Sequence, residues 1–212
     1  MTLPSAPDRA PTRREQILQV AARLFAQHGV HGVSIAELGA AVGVSGPALY
    51  RHFPGKEALL TEMLVGISEY LLDGATALAA RTDDPRQVLT ELVDFHVDFA
   101  LRHPELITVQ DRDLANLPEQ ARRQVRSLQR SYVQIWVDTL RRLVPGLPTE
   151  TARVAAHGAF GLLNSTPHIT SPGSPSPTGH SAAGADPQQV AVLLRRMTIA
   201  ALTTATLTAR SE

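Results

Sequence analysis

The side chains best suited to chemistry stand close together between residues 45 and 56. They carry hydroxyl, imidazole, guanidinium and ammonium groups, which donate hydrogen bonds or hold positive charge. Groups of this kind bind phosphate oxygens and the edges of bases, so they suit nucleic-acid recognition better than catalysis. The residues are Ser45, Tyr50, Arg51, His52 and Lys56.

Groups for catalysis or metal binding do not converge in this way. The chain has no cysteine, which excludes disulfides, thiolate zinc sites and cysteine nucleophiles. Residues 43–47 lack the second glycine of the G-x-S-x-G motif of serine hydrolases. The phosphate-binding motifs G-x-x-x-x-G-K-[ST] and G-x-G-x-x-G do not occur in the sequence. His28 and His31 lack a third ligand nearby, and His96 and His103 would lie two helical turns apart, roughly 10.5 Å. We therefore expect no enzyme activity, no cofactor and no metal site.

Two short helices joined by a tight turn would position the donors. Ser34 followed by Glu37 is a capping box, and apolar residues then recur at helical spacing. Gly43 stands where a left-handed residue would end the first helix. Ser45 can cap the second helix, whose first turn tolerates Pro47. The pattern predicts a helix-turn-helix whose second helix can enter a DNA major groove; an ordinary helical hairpin is the alternative.

Residues 12–60 resemble the DNA-binding domain of the TetR/AcrR family of bacterial repressors. The matching motifs are LFAQHG at 24–29, VSIAEL at 33–38, VGVS at 42–45, LYRHF at 49–53 and KEALL at 56–60. With the side-chain chemistry, the resemblance implies DNA contacts at Ser34, Ser45, Gly46, Pro47, Ala48, Tyr50, Arg51, His52 and Lys56. The expected phosphate contacts among them are Ser34, Tyr50, His52 and Lys56.

The remaining positions differ in what they can contact. Residues 45 and 46 would lie nearest the base edges, and residues 47 and 48 offer apolar contact, for example to a thymine methyl group. Two alternatives stay open. Tyr50 can pack a small core instead of binding phosphate, and Arg51 can pair with Glu37.

Composition and charge agree with a helical nucleic-acid-binding chain. Hydrophobic residues make up 43% and aromatic residues 4%, which favours a core of Ala, Leu and Val in helices. The net charge is zero, but residues 1–56 carry six basic against three acidic side chains, so the positive end holds the helix-turn-helix. No apolar run approaches the roughly 20 residues of a membrane span. We expect a cytoplasmic protein with no membrane partner.

The sequence predicts an all-α fold in two domains after a disordered arm at 1–11. The helix-turn-helix domain would cover 12–57, and a larger helical domain for effector binding and dimerisation would cover 58–212, with a flexible loop at 164–186. Arg13 and Arg14 follow the arm. We expect them to be solvated rather than bound to phosphate.

The larger domain should hold a small-molecule pocket between its helices, as the resemblance implies. Its apolar character predicts a lipophilic effector. Residues 161–168 resemble actinobacterial members of the family that respond to acyl-CoA thioesters, which implies an acyl-CoA-like effector; a hydrophobic drug or metabolite is the alternative. Each candidate residue can instead be an ordinary core or surface residue. The candidates are Phe95, His96, Phe99, His103, Arg112, Tyr132, Trp136 and Asn164.

The predicted function is a ligand-responsive transcriptional repressor. As in the family, helices at about 149–163 and 187–210 would pair with their copies in a homodimer; the alternative is that their apolar faces serve only the core of one chain. Twofold symmetry would place two recognition helices in successive major grooves, roughly 34–36 Å apart, on a palindromic operator. The rival interpretations are a helical regulator that acts through protein partners and, less in keeping with the sequence, a helical enzyme.

Overall fold

A computed structural model describes residues 11–170 and 186–208 of the chain. Every regular element in these two ranges is a helix, as predicted. The helices are α1 (Arg13–Gly32), α2 (Ile35–Val42), α3 (Gly46–Tyr50), α4 (Lys56–Ala79), α5 (Pro85–Arg102), α6 (Pro104–Asp113), α7 (Glu119–Leu143), α8 (Thr149–Leu163), α9 (Thr166–Thr170) and α10 (Pro187–Thr208). A short 3-10 helix, Leu114–Asn116, precedes α7.

The chain forms two compact units that are not contiguous in sequence. The first contains the described residues up to Tyr70 together with Glu105–Gln129. The second contains Leu71–Pro104 and the described residues from Arg130 onwards. This division differs from the predicted single boundary between 57 and 58, because α6 and the beginning of α7 belong to the unit that contains the helix-turn-helix.

The first unit begins with a helix whose start and end follow the local sequence. Thr12 and Glu15 form a capping box at the start of α1, and Gly29 interrupts the helix with a φ of 76°. Four aromatic and leucine side chains of this unit are fully or almost fully buried. They are Phe25, Leu38, Leu49 and Phe53.

The second unit is built on α5, the later part of α7, α8 and α10. Its buried side chains form one apolar core, in which α10 packs against α5 and α8. At Gly74 a Cβ atom would overlap the ring of Phe95, so the absence of a side chain there lets this ring approach α4 closely. Phe95 is therefore used in helix packing.

Part of the predicted flexible loop is helical. α8 ends at Leu163, and α9 follows at once, whereas 164–186 was expected to lack structure. The hydroxyl of Thr166 donates to the carbonyl of Ala100 (2.9 Å), and this buried bond links α9 to α5. Residues 171–185, and residues 1–10 of the predicted disordered arm, lie outside the described ranges. None of the described helices combines the length and the apolar character needed to cross a membrane.

Candidate nucleic-acid interface and effector site

Local hydrogen bonds fix the start of α2. The hydroxyl of Ser34 accepts from the backbone N–H of Glu37 (3.1 Å), and the Glu37 carboxylate accepts from the backbone N–H of Ser34 (2.7 Å). The hydrogen bond from the Ser34 backbone N–H is the main cause that lowers the pKa of the Glu37 carboxyl below its ordinary value, and the Ser34 side chain acts in the same direction. The predicted capping box is confirmed, and the Ser34 hydroxyl already has a partner.

The turn after α2 depends on two glycines. Gly43 has a φ of 70°, the left-handed conformation expected at this cap. Gly39 was not singled out in the sequence, yet a Cβ atom there would lie 2.7 Å from the carbonyl oxygen of Val44. The backbone N–H of Val44 donates to the carbonyl of Gly39 (2.8 Å), so the chain turns back directly over this residue. The sequence did contain a signal for this close approach, namely a glycine inside a short predicted helix.

α3 is short and begins without a side-chain cap. Ser45 occupies the N-cap position, but its hydroxyl makes no capping hydrogen bond, which differs from the expectation. The side chain is exposed, as is that of Pro47, whereas Leu49 is buried and anchors the helix. The exposed hydroxyl at the beginning of α3 is therefore not used by the cap.

The donors at the end of α3 differ in exposure. Tyr50 is 54% exposed, so it does not pack a core as the alternative proposed. Arg51 is also exposed, and among the described residues it forms no ion pair with Glu37 or any other carboxylate. His52 is half-buried. The structure thus leaves the Tyr50 and Arg51 side chains available to an external partner.

Lys56 has a structural partner. Its ammonium group donates to the carbonyl of Val33 (2.6 Å) and lies 3.4 Å from that of His31. These bonds connect the start of α4 to the segment between α1 and α2. A phosphate contact by Lys56 would have to coexist with this bridge.

Arg14 is exposed, as predicted, but its side chain also has partners within the first unit, which the prediction did not include. Its guanidinium group forms a bidentate ion pair with the carboxylate of Glu62 and donates to the carbonyl of His52. It also lies over the ring of Phe53, with 4.1 Å between Cζ and the ring centroid. Arg13 likewise donates to the carbonyl of Val42, at the end of α2. Both arginines lie in the first turn of α1 and stabilise the helix-turn-helix through hydrogen bonds to its backbone carbonyls.

Arg112, a predicted effector contact, belongs to the first unit instead. Its guanidinium group donates to the carbonyls of Phe25 and Ala26 near the Gly29 break in α1, the second at 3.1 Å. It also pairs with the buried carboxylate of Asp113 (3.1 Å). Sequence reasoning missed this role, because 86 residues separate Arg112 from Ala26.

Three of the predicted effector residues form a hydrogen-bonded group in the second unit. The ring of His96 bonds through Nδ1 to the Tyr132 hydroxyl (2.9 Å) and through Nε2 to the Asn164 side-chain oxygen (3.0 Å). Because the Asn164 oxygen accepts, Nε2 donates and Nδ1 accepts from Tyr132. Burial lowers the pKa of His96 to about 4, against the opposing effect of the Asn164 bond. The ring is therefore neutral at pH 7.

Aromatic rings surround this polar group. The ring centroid of His96 lies 5.8 Å from that of Phe99, 6.2 Å from that of Trp136 and 5.2 Å from that of Phe160. Trp136 and Phe160 are in edge contact, with centroids 4.9 Å apart. We call His96, Phe99, Tyr132, Trp136, Phe160 and Asn164 the aromatic cluster. Phe160 was not among the predicted effector residues.

Two further predicted effector residues, His103 and Phe95, are not members of the aromatic cluster. The ring of His103 is 5.8 Å from that of Phe99, at the C-terminal end of α5. Phe95 packs against Gly74. No group of three His, Asp or Glu side chains in the described ranges is arranged to hold a metal ion.

α8 and α10 expose several large apolar side chains. Val154 of α8 is 72% exposed, the highest value among the large apolar residues described. On α10, Val192, Leu193 and Met197 are 51%, 58% and 46% exposed. These two helices are the ones expected to form the dimer interface.

Two family models match the chain. The model described as "Bacterial regulatory proteins, tetR family" matches residues 17–63, and the model described as "Tetracyclin repressor-like, C-terminal domain" matches residues 82–168. The transcriptional repressor KstR2 of Mycolicibacterium smegmatis is 27% identical over 143 residues, 65% of this chain and 68% of that protein. KstR2 of Rhodococcus jostii is 34% identical over 95 residues, but this match spans only 47% of its length.

Solved structures with the same fold include other regulators. A TetR-family regulator from Bordetella parapertussis superposes with a TM-score of 0.73 at 24% identity, covering 89% of this chain and 95% of that one. The ketosteroid transcriptional regulator KstR2 of Mycobacterium tuberculosis gives 0.70 at 20% identity, with coverages of 89% and 95%. AibR in complex with isovaleryl coenzyme A and operator DNA gives 0.68 at 18% identity, with coverages of 88% and 97%. At these identities the superpositions establish the shared fold.

Proposed function

Because the chain belongs to the TetR family of bacterial transcriptional regulators, we propose that it is a ligand-responsive repressor. It binds a palindromic operator as a homodimer and leaves the operator when a lipophilic effector binds to the second unit. The observation that carries the proposal is the surface of α3, where Ser45, Tyr50 and Arg51 are exposed on a helix anchored by Leu49. Their donors suit phosphates and base edges.

The DNA contacts that we propose follow the positions of these side chains. Tyr50, Arg51 and His52 bind phosphates, and residues 45–48 lie against base edges in the major groove. Ser34 binds phosphate through a helix N-terminus, whose dipole favours anions. Lys56 adds a phosphate contact while it holds the carbonyl of Val33.

The dimer forms through α8 and α10. Their exposed apolar side chains would be removed from water by a second copy of the same helices. Small residues in α8 allow a partner helix to approach, since a Cβ atom at Gly158 or Gly161 would contact nothing within 4 Å in one chain. A twofold dimer presents two copies of α3, as a palindromic operator requires.

Effector binding lowers operator affinity through a population shift. A ligand that binds one dimer conformation more tightly favours it by that difference in affinity. α4 and α7 are continuous helices with residues in both units. They are the segments through which a change around the aromatic cluster would reach the first unit. The complex of AibR with isovaleryl coenzyme A and operator DNA supports an acyl-CoA-like ligand for this fold.

Fluorescence anisotropy tests the proposal directly. Purified protein is titrated onto labelled DNA from upstream of its own coding region at several salt concentrations, then challenged with acyl-CoAs and with hydrophobic drugs and metabolites. We expect tight, salt-sensitive binding that one compound class reverses. Arg51→Ala should weaken binding, whereas Arg86→Ala, an exposed arginine of the second unit, should not. If the protein does not bind this upstream DNA or other genomic fragments, or binds them independently of salt, a regulator that acts through protein partners is favoured.

A further inference from the structure

Two buried polar side chains of the second unit lack hydrogen-bond partners within the described part of the chain. They are the indole Nε1 of Trp136 and the hydroxyl of Thr198. Both residues are 0% exposed, so water does not replace the missing partner at the surface of this chain. Buried polar groups are almost always paired in folded proteins, and an unpaired one destabilises the fold. These two groups therefore need an explanation.

Thr198 differs from comparable helical residues. Hydroxyls inside these helices commonly donate to the carbonyl four residues earlier. Examples are Ser68, Thr76, Thr90, Thr139 and Thr203. Thr198 has the same option within α10 but does not use it. Its hydroxyl is thus available to a group other than its own helix.

Trp136 belongs to the apolar core of the second unit, and Thr198 is a buried residue of α10 between two leucines of that core. Trp136 is part of the aromatic cluster, in edge contact with Phe160. Thr198 lies one turn from Leu194 and one turn from Leu202 on the buried face of α10, and both leucines belong to the core that contains Trp136. An indole N–H can only donate, whereas a hydroxyl can donate or accept. A hydrogen-bond acceptor in this core would therefore satisfy Trp136.

The surroundings exclude a charged acceptor. No lysine or arginine is among the buried residues of the described ranges. His96 is neutral because its burial lowers the pKa to about 4, and both its ring nitrogens already have partners. A carboxylate or phosphate in this core would lose its hydration without gaining a counter-charge, which is strongly unfavourable.

We propose that the second unit binds an apolar ligand through an uncharged carbonyl oxygen, a ketone or an ester, that accepts a hydrogen bond from Trp136 Nε1. Thr198 is the second polar contact for this part of the ligand. That this ligand is the effector rests on the proposed function. The hydrogen bond between its carbonyl oxygen and Trp136 does not depend on that function. Any charged portion of the ligand stays outside the aromatic cluster.

The test compares three probes that share the decalin ring system. They are 2-decalone, 2-methylenedecalin, in which a CH₂ group replaces the ketone oxygen, and decalin-2-carboxylate. Trp136 is the only tryptophan of the chain, so its intrinsic fluorescence reports binding at this residue. Calorimetry on the full-length protein at pH 7 measures each affinity. We expect the ketone to bind about tenfold more tightly than the methylene analogue, the difference typical of one hydrogen bond in a dry site.

Two variants assign the hydrogen bonds. Trp136→Phe keeps an aromatic ring and removes the N–H, and should lower ketone affinity about tenfold while changing that of the methylene analogue less than twofold. Thr198→Val, a change of similar shape, should lower ketone affinity severalfold, and it remains informative if Trp136→Phe is poorly folded. Circular dichroism checks both variants. Equal losses for both probes, tightest binding by the carboxylate, or no binding of any probe would each overturn the proposal.

Operator binding, measured in the same samples, separates this inference from the proposed function. If 2-decalone binds through Trp136 but leaves the DNA complex intact, the ligand chemistry stands and its role as effector is refuted. If another compound releases DNA while the ketone does not bind, the repressor function stands and the carbonyl site is refuted.

Discussion

At the residue scale, side chains of one type have different roles according to their neighbours. Arg14 binds Glu62 and stacks on Phe53, so it serves the stability of the first unit. Arg51 is exposed and forms no ion pair among the described residues. Lys56 combines an internal hydrogen bond with a position beside the proposed interface. Positive charge near a recognition helix is therefore not by itself a DNA contact.

Substitution of Arg51 and of Lys56 separates these roles. Arg51→Ala should reduce the slope of log affinity against log salt by about 1, because one phosphate contact is lost. The free energy of unfolding should change by no more than about 0.5 kcal/mol, since the side chain has no partner to lose in the described part of the chain. Lys56→Ala should reduce the slope similarly and also lower the unfolding free energy by about 1 kcal/mol, through the bond to Val33. Anisotropy and urea unfolding measure the two effects, and an unchanged slope would remove either residue from the phosphate contacts.

The buried His96 predicts a loss of stability in acid. The pKa is about 4 in the folded state, below the ordinary 6.5, so the unfolded chain binds a proton in a range where the folded chain does not. Stability should be complete above pH 6.5 and fall as the pH decreases to 4. Between pH 7 and pH 5 the loss should be about 2 kcal/mol. Urea unfolding of the wild type and of His96→Gln, which cannot titrate, measures it; parallel pH profiles would contradict the assignment.

At the scale of single elements, local sequence explains where the helices begin and end. Capping boxes start α1 and α2, and left-handed Gly43 ends α2. Long-range contacts then hold these elements in place. Arg112 binds carbonyls of α1, although it follows them by more than 80 residues. The helix-turn-helix is thus locally encoded but supported by α6.

Gly39→Ala should disrupt the turn between α2 and α3. The added methyl group would lie 2.7 Å from a backbone oxygen, which cannot move away as a flexible side chain could. We expect the free energy of unfolding to fall by about 1–3 kcal/mol, with weaker operator binding. Gly55→Ala is the matched control in the same unit, because its Cβ atom would meet nothing within 4 Å. Similar unfolding midpoints for both variants would refute the close approach.

At the scale of the whole molecule, the function that we propose depends on a second copy of the chain. One recognition helix of five residues offers few contacts, and twofold symmetry would double them. The exposed apolar residues of α8 and α10 are the surface on which we base the dimer. Effector control then requires that the dimer have two conformations of similar free energy.

Leu193→Glu should convert the dimer to a monomer. A carboxylate at this exposed position of α10 would be buried without a partner in the proposed interface. Light scattering after size exclusion should give the mass of one chain, and operator affinity should fall at least about 100-fold, because a change near 3 kcal/mol is expected. Ser127→Glu adds the same charge at an exposed position of α7 and should leave the dimer intact. A dimeric Leu193→Glu protein would exclude this interface.

Much of the fold and part of the candidate site follow from patterns that span only a few residues. Helix starts, the glycine turn and the apolar stripes depend on neighbours within about four positions, so the roles of Ser34, Glu37 and Gly43 follow from the sequence alone. The same reasoning recognised five members of the aromatic cluster, as large or polar residues on predicted helices. It did not recognise Phe160.

Contacts between distant segments were decided only by the tertiary structure. Arg14 and Arg112 looked like solvent or ligand contacts because a short pattern cannot show that Glu62 and the α1 carbonyls lie within reach. Burial likewise sets the neutral state of His96 and leaves Trp136 Nε1 without a partner among the described residues. Desolvation and hydrogen-bond partners depend on everything that surrounds a group. They arise only when the chain has packed.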